Sequence, residues 1–177
     1  MRKYWKCFLS TLKHKFYVLI AGMWLGVPLW QLLAHDISKF SVAEFPRYAR
    51  YYFGQEKDRG EWAKAWHHHQ RLNAHHPEYW LLSWRFCGGV GQPVADNVVV
   101  LPMPEMYVRE MVADWFAASK IYTGRWDIAT WLNKNGPKMI MHKGTVRLVG
   151  DIMVEMGYYL TDNCSWSWMA GERFLRK

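Results

Sequence analysis

His35 and Asp36 are the adjacent pair in this sequence best suited to binding a metal ion. An imidazole and a carboxylate near the end of an apolar helix can both reach one cation, and the carboxylate can bridge to a second. Two further polar residues lie in apolar segments, His14 in the preceding helix and Asp114 within Met111–Phe116. Each is costly to bury unless a cation or hydrogen bonds satisfy it. These four residues therefore form a candidate metal site.

Histidines crowd one further segment, because five of the eight in the chain lie within residues 67–76. On an unbroken helix His68 and His75 would lie about 10 Å apart along the axis, so both could bind one ion only if the helix broke between them. The sequence leaves open which face of this segment looks inward. The candidates for ligands or substrate contacts are His67, His68, His69, His75 and His76.

The same segment contains a predicted polar stripe. His69, Asn73 and His76 follow an i, i+4, i+7 pattern, which places them on one face of a helix. Such a stripe could line a pocket, with one histidine on a metal ion and another on the substrate.

A second acidic residue accompanies Asp114. Glu110 stands four residues earlier and therefore on the same helical face. Its carboxylate could support a metal ligand or act as a general base on a metal-activated water. A salt bridge with Arg109, Lys120 or another neighbour is the remaining interpretation.

The order His, His-Asp, Asp, with each member on a different predicted helix, resembles the HD-domain superfamily of metal-dependent phosphohydrolases. The segment His35–Lys39 is similar to the HDxxK form of subfamilies that hold two or three metal ions and carry additional histidines before the last aspartate. The resemblance implies one metal ion on His14, His35, Asp36 and Asp114, and a second on Asp36 and histidines of the cluster. It favours His68 and His76 among them, and it implies that Lys39 faces a substrate phosphate.

The chain also resembles an uncharacterised family of bacterial and phage proteins. This similarity carries no activity that could be transferred to the chain. The similar stretches are residues 14–18, 35–40, 44–54, 66–80 and 103–115.

The elements that must position these residues are predicted to be helices. The predicted helices run over about Tyr4–Leu25, Pro28–Lys39, Ser41–Tyr52, Glu56–His76, Glu105–Tyr122, Asp127–Asn133 and Thr145–Met156. The third of them is expected to begin with a capping box at Ser41–Glu44. Glycines and prolines in residues 86–104 predict a loop or a short hairpin, with a strand near Asn97–Leu101. We therefore predict one all-α domain over residues 1–177, an HD-domain-like helical bundle with this excursion.

The apolar run Phe16–Leu33 has the length of a membrane span or a signal peptide. Gly26 and Pro28 interrupt it, and it leads into His35 without a convincing cleavage site of small residues. We therefore predict two buried core helices joined near Gly26–Pro28, and no stable insertion into a membrane.

Composition limits the class of protein and its partners. The chain is 51% hydrophobic and 21% charged, which excludes intrinsic disorder. Twelve tryptophans are expected mostly in the core. A net charge of +8 indicates an anionic partner such as a nucleotide, a nucleic acid or a membrane surface. Cys7, Cys87 and Cys164 are too far apart in sequence to indicate a disulfide framework, so we predict reduced thiols and a cytoplasmic location.

These observations predict a metal-dependent phosphohydrolase that acts on a nucleotide or a related phosphoester through metal-activated water. One or two divalent ions are expected, and the residues do not distinguish Mn, Fe, Zn, Mg and Ni. One alternative is a di-iron oxygenase of the HD type. Another is a non-catalytic basic protein that binds nucleic acid, a host protein or a membrane surface. The identity of the substrate and the oligomeric state stay open.

Overall fold

A computed structural model describes residues 1–55, 57–83, 91–95, 98–160 and 174–176. Its backbone is mostly helical, which confirms the prediction of an all-α fold. The α-helices are α1 (Arg2–Trp24), α2 (Leu29–Ala34), α3 (Phe45–Phe53), α4 (Arg59–Leu72), α5 (Glu105–Thr123), α6 (Ile128–Asn135) and α7 (Lys143–Glu155). The strands are β1 (Leu81–Ser83), β2 (Gln92–Ala95), β3 (Val98–Val100), β4 (Tyr158–Leu160) and β5 (Phe174–Arg176). Single 3-10 turns cover Ile37–Phe40, Pro77–Trp80 and Gly136–Lys138.

Helix α5 is the centre of the core. It is buried on most of its circumference, and Met111, Val112 and Phe116 are almost completely buried. Helices α1, α6 and α7 supply the facing side chains, among them Val18 and Leu132. Because α5 also carries Glu110 and Asp114, the best-packed helix of the fold holds two acidic side chains in place.

The junction between the first two helices lies where the sequence predicted it. Helix α1 ends at Trp24, Gly26 adopts a positive φ of 68° that favours glycine, and α2 begins directly after Pro28. A methyl group at Gly22 would collide with the Leu32 side chain, so the two helices approach each other closely at this point.

The prediction of a second helix that continues to Lys39 is wrong. Helix α2 ends at Ala34, and Asp36 has a left-handed backbone with φ of 55° before the turn Ile37–Phe40 begins. A non-glycine residue in this region costs on the order of 1 kcal/mol, and such residues cluster at functional sites. The reversal brings Asp36 to the interior, where it is 1% exposed.

The predicted capping box at Ser41–Glu44 is also wrong. Helix α3 begins at Phe45 with Pro46 in its first turn, and its first turn has no side-chain cap. Pro46 thus delays the start of the helix. The carboxylate of Glu44 is fully buried and turns toward the histidines.

The fourth helix is shorter at both ends than predicted. Helix α4 begins after Asp58, whose carboxylate accepts a hydrogen bond from the backbone of Glu61. It ends at Leu72 because the Asn73 side chain donates to the carbonyl of His69 at 2.7 Å while its own backbone becomes extended. This break allows the chain after α4 to fold back against the helix.

The small strands confirm the short hairpin. β3 pairs antiparallel with β2 and, on its other side, with β1, so the sheet order is β1-β3-β2. Residues 86–90, 96 and 97 of the predicted excursion lie outside the described residues. β4 and β5 form a second antiparallel pair. The three predicted helices after the hairpin correspond to α5, α6 and α7 within two residues at each end.

The prediction of two buried core helices over the apolar run is only partly correct. Val18, Ala21 and Leu32 are buried, but Phe16, Trp30 and several neighbouring apolar side chains are more than half exposed. The tryptophans likewise divide between core and surface. Among the described residues, none of the helices combines the length and the apolar character that crossing a bilayer requires.

Candidate metal centre

The four residues predicted to form a metal site converge from three parts of the chain. His14 comes from α1, His35 and Asp36 follow α2, and Asp114 comes from α5. His14 Nε2 lies 2.8 Å from Asp114 Oδ1 and 3.6 Å from Asp36 Oδ2. His35 Nε2 lies 3.3 Å from Asp36 Oδ2 and 3.9 Å from Asp114 Oδ1. We call this group of donor atoms site A.

A second group of donor atoms surrounds the other oxygen of the same aspartate. Asp36 Oδ1 lies 3.2 Å from His69 Nε2 and 3.5 Å from His75 Nε2. His76 Nε2 lies 3.0 Å from His69 Nε2. We call this group site B, and the carboxylate of Asp36 therefore stands between sites A and B.

The spacing of these atoms suits metal coordination. Ligand atoms bound to one cation at about 2.1 Å cannot lie more than about 4.2 Å apart, and all the distances above meet that limit. Within the described residues, several of these atoms are buried yet make no hydrogen bond of acceptable geometry, which is costly unless something else satisfies them. They are His14 Nε2, His35 Nε2, Asp36 Oδ1 and His75 Nε2.

Glu110 supports one imidazole in each site. Its Oε1 accepts a hydrogen bond from His35 Nδ1 at 2.8 Å and lies 3.2 Å from His75 Nδ1. The carboxylate is buried, and Gln31 Nε2 donates to its other oxygen at 2.5 Å. Because a carboxylate only accepts, the Nδ1 atom of His35 carries a proton, so Nε2 is the ring nitrogen that would bind a cation in exchange for any proton of its own.

Glu44 supports site B in the same way. His69 Nδ1 donates to Glu44 Oε2 at 2.9 Å, so His69 Nε2 is oriented toward Asp36. His68 Nδ1 donates to the other oxygen of Glu44 at 2.8 Å. His68 therefore lies on the outer side of Glu44, and it belongs to none of the groups of converging donor atoms.

The carboxylates and imidazoles shift each other's pKa values. Burial opposes a charge on His35, but Asp36 and Glu110 outweigh it and raise the pKa of His35 to about 9. Burial raises the pKa of Glu110, yet hydrogen bonds from His35 and His75 bring it down to about 2. Burial and the neighbouring histidines hold the pKa of His76 well below its usual range. The pocket is thus rich in carboxylate charge that favours a cation.

The cluster has a closed interior and an open edge. His35, Asp36, His69 and His75 are at most 2% exposed, whereas the side chains of His14, His76 and Asp114 are 14–18% exposed. The ammonium group of Lys39 contacts Asp36 Oδ2, and its side chain is 25% exposed. Solvent therefore reaches the cluster where Lys39, His14 and Asp114 lie.

Most of the residues predicted from the sequence are brought together. His14, His35, Asp36, Asp114 and His76 lie in the cluster, and Lys39 lies at its edge. His68, which the resemblance favoured as a ligand, lies outside the cluster because its ring turns to the outer oxygen of Glu44. His69 and His75, predicted as substrate contacts, supply donor atoms of site B instead. Asn73 donates to Ser38 Oγ at 2.8 Å and packs beside His69 rather than lining an open pocket.

The structure also shows the partners of Glu110. The predicted salt bridge with Arg109 or Lys120 is wrong, because Arg109 pairs with Glu105 and Glu155, and Lys120 donates to the carbonyl of Gly124. The prediction of an ion pair with another neighbour is confirmed, because Glu110 pairs with His35 and His75. Glu110 contacts the Nδ1 atoms of two imidazoles, away from their Nε2 atoms. These contacts orient the rings of His35 and His75, and a role of Glu110 as a general base stays a prediction.

Sequence reasoning missed three polar residues that position the histidines. Glu44 was assigned to a capping box, and Gln31 and Ser38 were not considered. Gln31 did carry a signal, because it is a lone amide within the apolar run and is 3% exposed. Glu44 and Ser38 carried none, since their role depends on the reversal at Asp36.

Fold and site together define a mostly helical protein with a buried cluster of histidines and carboxylates that could hold metal ions. The sequence profile of a family of unknown function, DUF5662, matches residues 3–155, and the chain belongs to this family. No match was found among curated proteins or among solved structures.

Proposed function

We propose that the chain binds two divalent metal ions, one in site A and one in site B, bridged by the carboxylate of Asp36. The observation that carries this proposal is the position of Asp36, whose two oxygens each face a separate group of imidazole Nε2 atoms. Glu110 and Glu44 hold these imidazoles with Nδ1 protonated. Without cations, so many converging lone pairs in a buried site would be costly.

We further propose that the reaction is hydrolysis of a phosphoester, with a nucleotide or a related small phosphate as substrate. Paired divalent cations supply Lewis acidity toward a phosphoryl oxygen and lower the pKa of a nearby water. In the hydrolysis, the water oxygen forms a bond to phosphorus, the ester P–O bond breaks, and the leaving oxygen takes up a proton. Lys39 at the open edge would neutralise charge on the phosphoryl oxygens.

The resemblance to the HD-domain superfamily supports the same proposal. The order of His14, His35-Asp36 and Asp114 along the chain is the order on which the resemblance was based, and these residues share site A. The net charge of +8 favours an anionic substrate. A cytoplasmic location is part of the proposal, in keeping with the free thiol of Cys7.

Metal analysis and a hydrolysis assay test the proposal together. The purified protein, stripped and then reloaded separately with Mn, Fe, Zn, Mg or Ni, is expected to bind about two ions per chain. Bis-p-nitrophenyl phosphate and a panel of nucleotides are the substrates to assay. Less than one ion per chain with every metal would overturn the proposal of a metal centre. Two ions without any phosphoester hydrolysis would overturn the reaction alone.

One observation favours a second candidate, a di-iron oxygenase. Five imidazoles but only two carboxylates supply the donor atoms of sites A and B, and imidazole-rich sites suit iron. Protein loaded with iron under reducing conditions would then show a visible absorption band on exposure to air and consume oxygen with its substrate. Phosphoester hydrolysis that is equally supported by a redox-inactive metal such as Zn would argue for the hydrolase.

A further inference from the structure

A stripe of large apolar side chains runs along the outer face of α1. Its members are 42–63% exposed. They are spaced by 4, 7, 11 and 18 residues from the first, which places them on one face of a helix over its whole length. The members are Trp5, Leu9, Leu12, Phe16 and Met23.

The segment after α1 adds to the apolar surface. Leu29, Trp30 and Leu33 of α2, with Ile37 just beyond it, are 59–65% exposed. Helix α2 packs closely against α1 at Gly22, and Lys15 of α1 donates to the carbonyl of Leu33. We call the stripe on α1 together with these four side chains the apolar face. Such a concentration of exposed Trp, Leu and Phe side chains marks an interaction surface.

Basic residues flank the stripe on α1, and neither α1 nor α2 carries an acidic residue. Helix α1 carries Arg2, Lys3, Lys6, Lys13 and Lys15 but no Asp or Glu, and α2 carries no charge at all. By helical geometry Arg2, Lys6 and Lys13 lie about 60–100° to one side of the stripe. Lys15 lies about 80° to the other side, between the stripe and α2, where its ammonium donates to the carbonyls of Leu33 and His35. Their long stems can follow apolar groups while the ammonium or guanidinium groups stay in a polar layer.

This charge pattern distinguishes between two partners that such a surface could bind, a second copy of the chain and an anionic bilayer. In a symmetric pair of copies of this chain, the same face meets itself, so the basic flanks of one α1 would meet those of the other without an acidic partner on α1 or α2. An apolar layer bordered by negative charge complements the face far better. The interface of a bilayer that contains anionic phospholipids has this composition.

We propose that the apolar face of α1 and α2 docks the protein on the surface of an anionic phospholipid bilayer. The helices lie in the plane of the membrane interface, with Trp5, Phe16 and Trp30 among the acyl chains and the basic residues at the phosphate groups. Docking leaves the histidine cluster clear, because His14 is nine residues from Trp5, about two and a half turns, and so lies on the opposite side of α1. The proposal is independent of the reaction proposed above.

Co-sedimentation with lipid vesicles tests this proposal. The full chain is mixed with vesicles of phosphatidylcholine that contain one-third phosphatidylglycerol, and with vesicles of phosphatidylcholine alone. We expect binding to the anionic vesicles, and binding at least about tenfold weaker to the neutral vesicles or at high salt. Absence of binding to the anionic vesicles would overturn the proposal.

Three double variants locate the contact. Leu12→Ser with Phe16→Ser removes part of the stripe, and Lys6→Glu with Lys13→Glu reverses the charge beside it. Each is expected to weaken binding to anionic vesicles at least about tenfold. The matched control, Ile140→Ser with Val154→Ser, changes exposed apolar residues elsewhere on the surface and should leave binding unchanged. Equal binding by all three variants would contradict docking through this face.

Sedimentation velocity without lipid separates docking from self-association. A monomer is expected for the unchanged chain and for the variants, with the same helical circular dichroism. A dimer that is lost in the Leu12→Ser, Phe16→Ser variant would instead assign the face to a second copy of the chain, and would overturn the proposal.

Discussion

Nδ1 of His35 donates to Glu110 at 2.8 Å across 75 residues of sequence, and this bond directs the opposite ring nitrogen toward Asp36. The same carboxylate lies 3.2 Å from Nδ1 of His75, whose Nε2 faces the other oxygen of Asp36. One buried glutamate on the central helix therefore orients an imidazole in each of the two proposed metal sites. This connection makes Glu110 the residue on which both sites depend.

Glu110→Gln should weaken metal binding at both sites. A glutamine keeps the shape but has no charge to hold two Nδ1 protons, so we expect the affinity for Mn or Zn to fall about 10- to 100-fold. Chelator competition measures the affinity. Glu105→Gln on the same helix is the control, because Glu105 is exposed and pairs with Arg109 away from the cluster. Unchanged affinity in Glu110→Gln would show that Glu110 does not position these ligands.

Asp36→Asn removes the proposed bridge while keeping the backbone. Asparagine tolerates the left-handed conformation as well as aspartate does, so helical content should stay the same. Bound metal is expected to fall from about two ions per chain to less than one, with loss of hydrolysis. Elemental analysis measures the number of bound ions per chain. Asp151→Asn on the exposed side of α7 serves as the control for Asp36→Asn. Two ions retained in Asp36→Asn would contradict the bridge.

The neighbouring histidines His68 and His69 provide a matched pair. His69→Ala removes a donor atom of site B and should leave about one ion per chain, whereas His68→Ala should keep about two. Both side chains donate to Glu44, so loss of that hydrogen bond is common to the two variants. If both variants lost metal equally, the metal content would depend on the hydrogen bonds to Glu44 and not on Nε2 of His69.

Lys39→Met tests the contact with substrate separately from metal binding. Lys39 lies at the open edge of the cluster, so its removal should leave metal content unchanged while kcat/KM for a phosphoester falls about 100-fold. Lys39→Arg should restore part of the activity, because it keeps the positive charge. Full activity in Lys39→Met would remove this residue from the proposed mechanism.

Metal should stabilise the folded chain. For each occupied site, a free cation concentration of 100 times Kd adds about 2.7 kcal/mol to the free energy of unfolding, or about 5–10 °C in Tm for a chain of this size. Thermal unfolding with Mn or Zn, and again after addition of a chelator, measures the shift. In Asp36→Asn the shift should be largely lost. A Tm that does not respond to any of the metals would speak against a buried metal centre.

Several elements of the fold could be predicted because their signals are local. The junction at Gly26–Pro28 follows from the backbone preferences of glycine and proline, and α5 follows from a helical pattern with no Gly or Pro between Glu105 and Thr123. Helix ends that depend on distant contacts could not be predicted. The end of α4 at Leu72 depends on the Asn73 side chain, which also donates to Ser38 from the turn after α2, and the end of α2 depends on Asp36 turning inward.

The exposed apolar face illustrates a second limit of sequence patterns. A run such as Phe16–Leu33 is apolar on all sides, so its composition does not tell which residues face the core. Packing against α5 and the close approach at Gly22 select Val18, Ala21 and Leu32 for burial and leave Phe16 in solvent.

The sequence by itself determined the helical class and the residue types suited to chemistry, because polar residues in apolar helices are visible in the order of residues. The grouping of His14, His35, Asp36 and Asp114 followed from the resemblance to the HD-domain superfamily. Only the tertiary structure decided that His69 and His75, and not His68, complete site B. The physical reason is that a ligand set depends on the direction of each imidazole Nε2. That direction is established by Glu110 and Glu44, which lie far away in sequence and reach the histidines only in the folded chain.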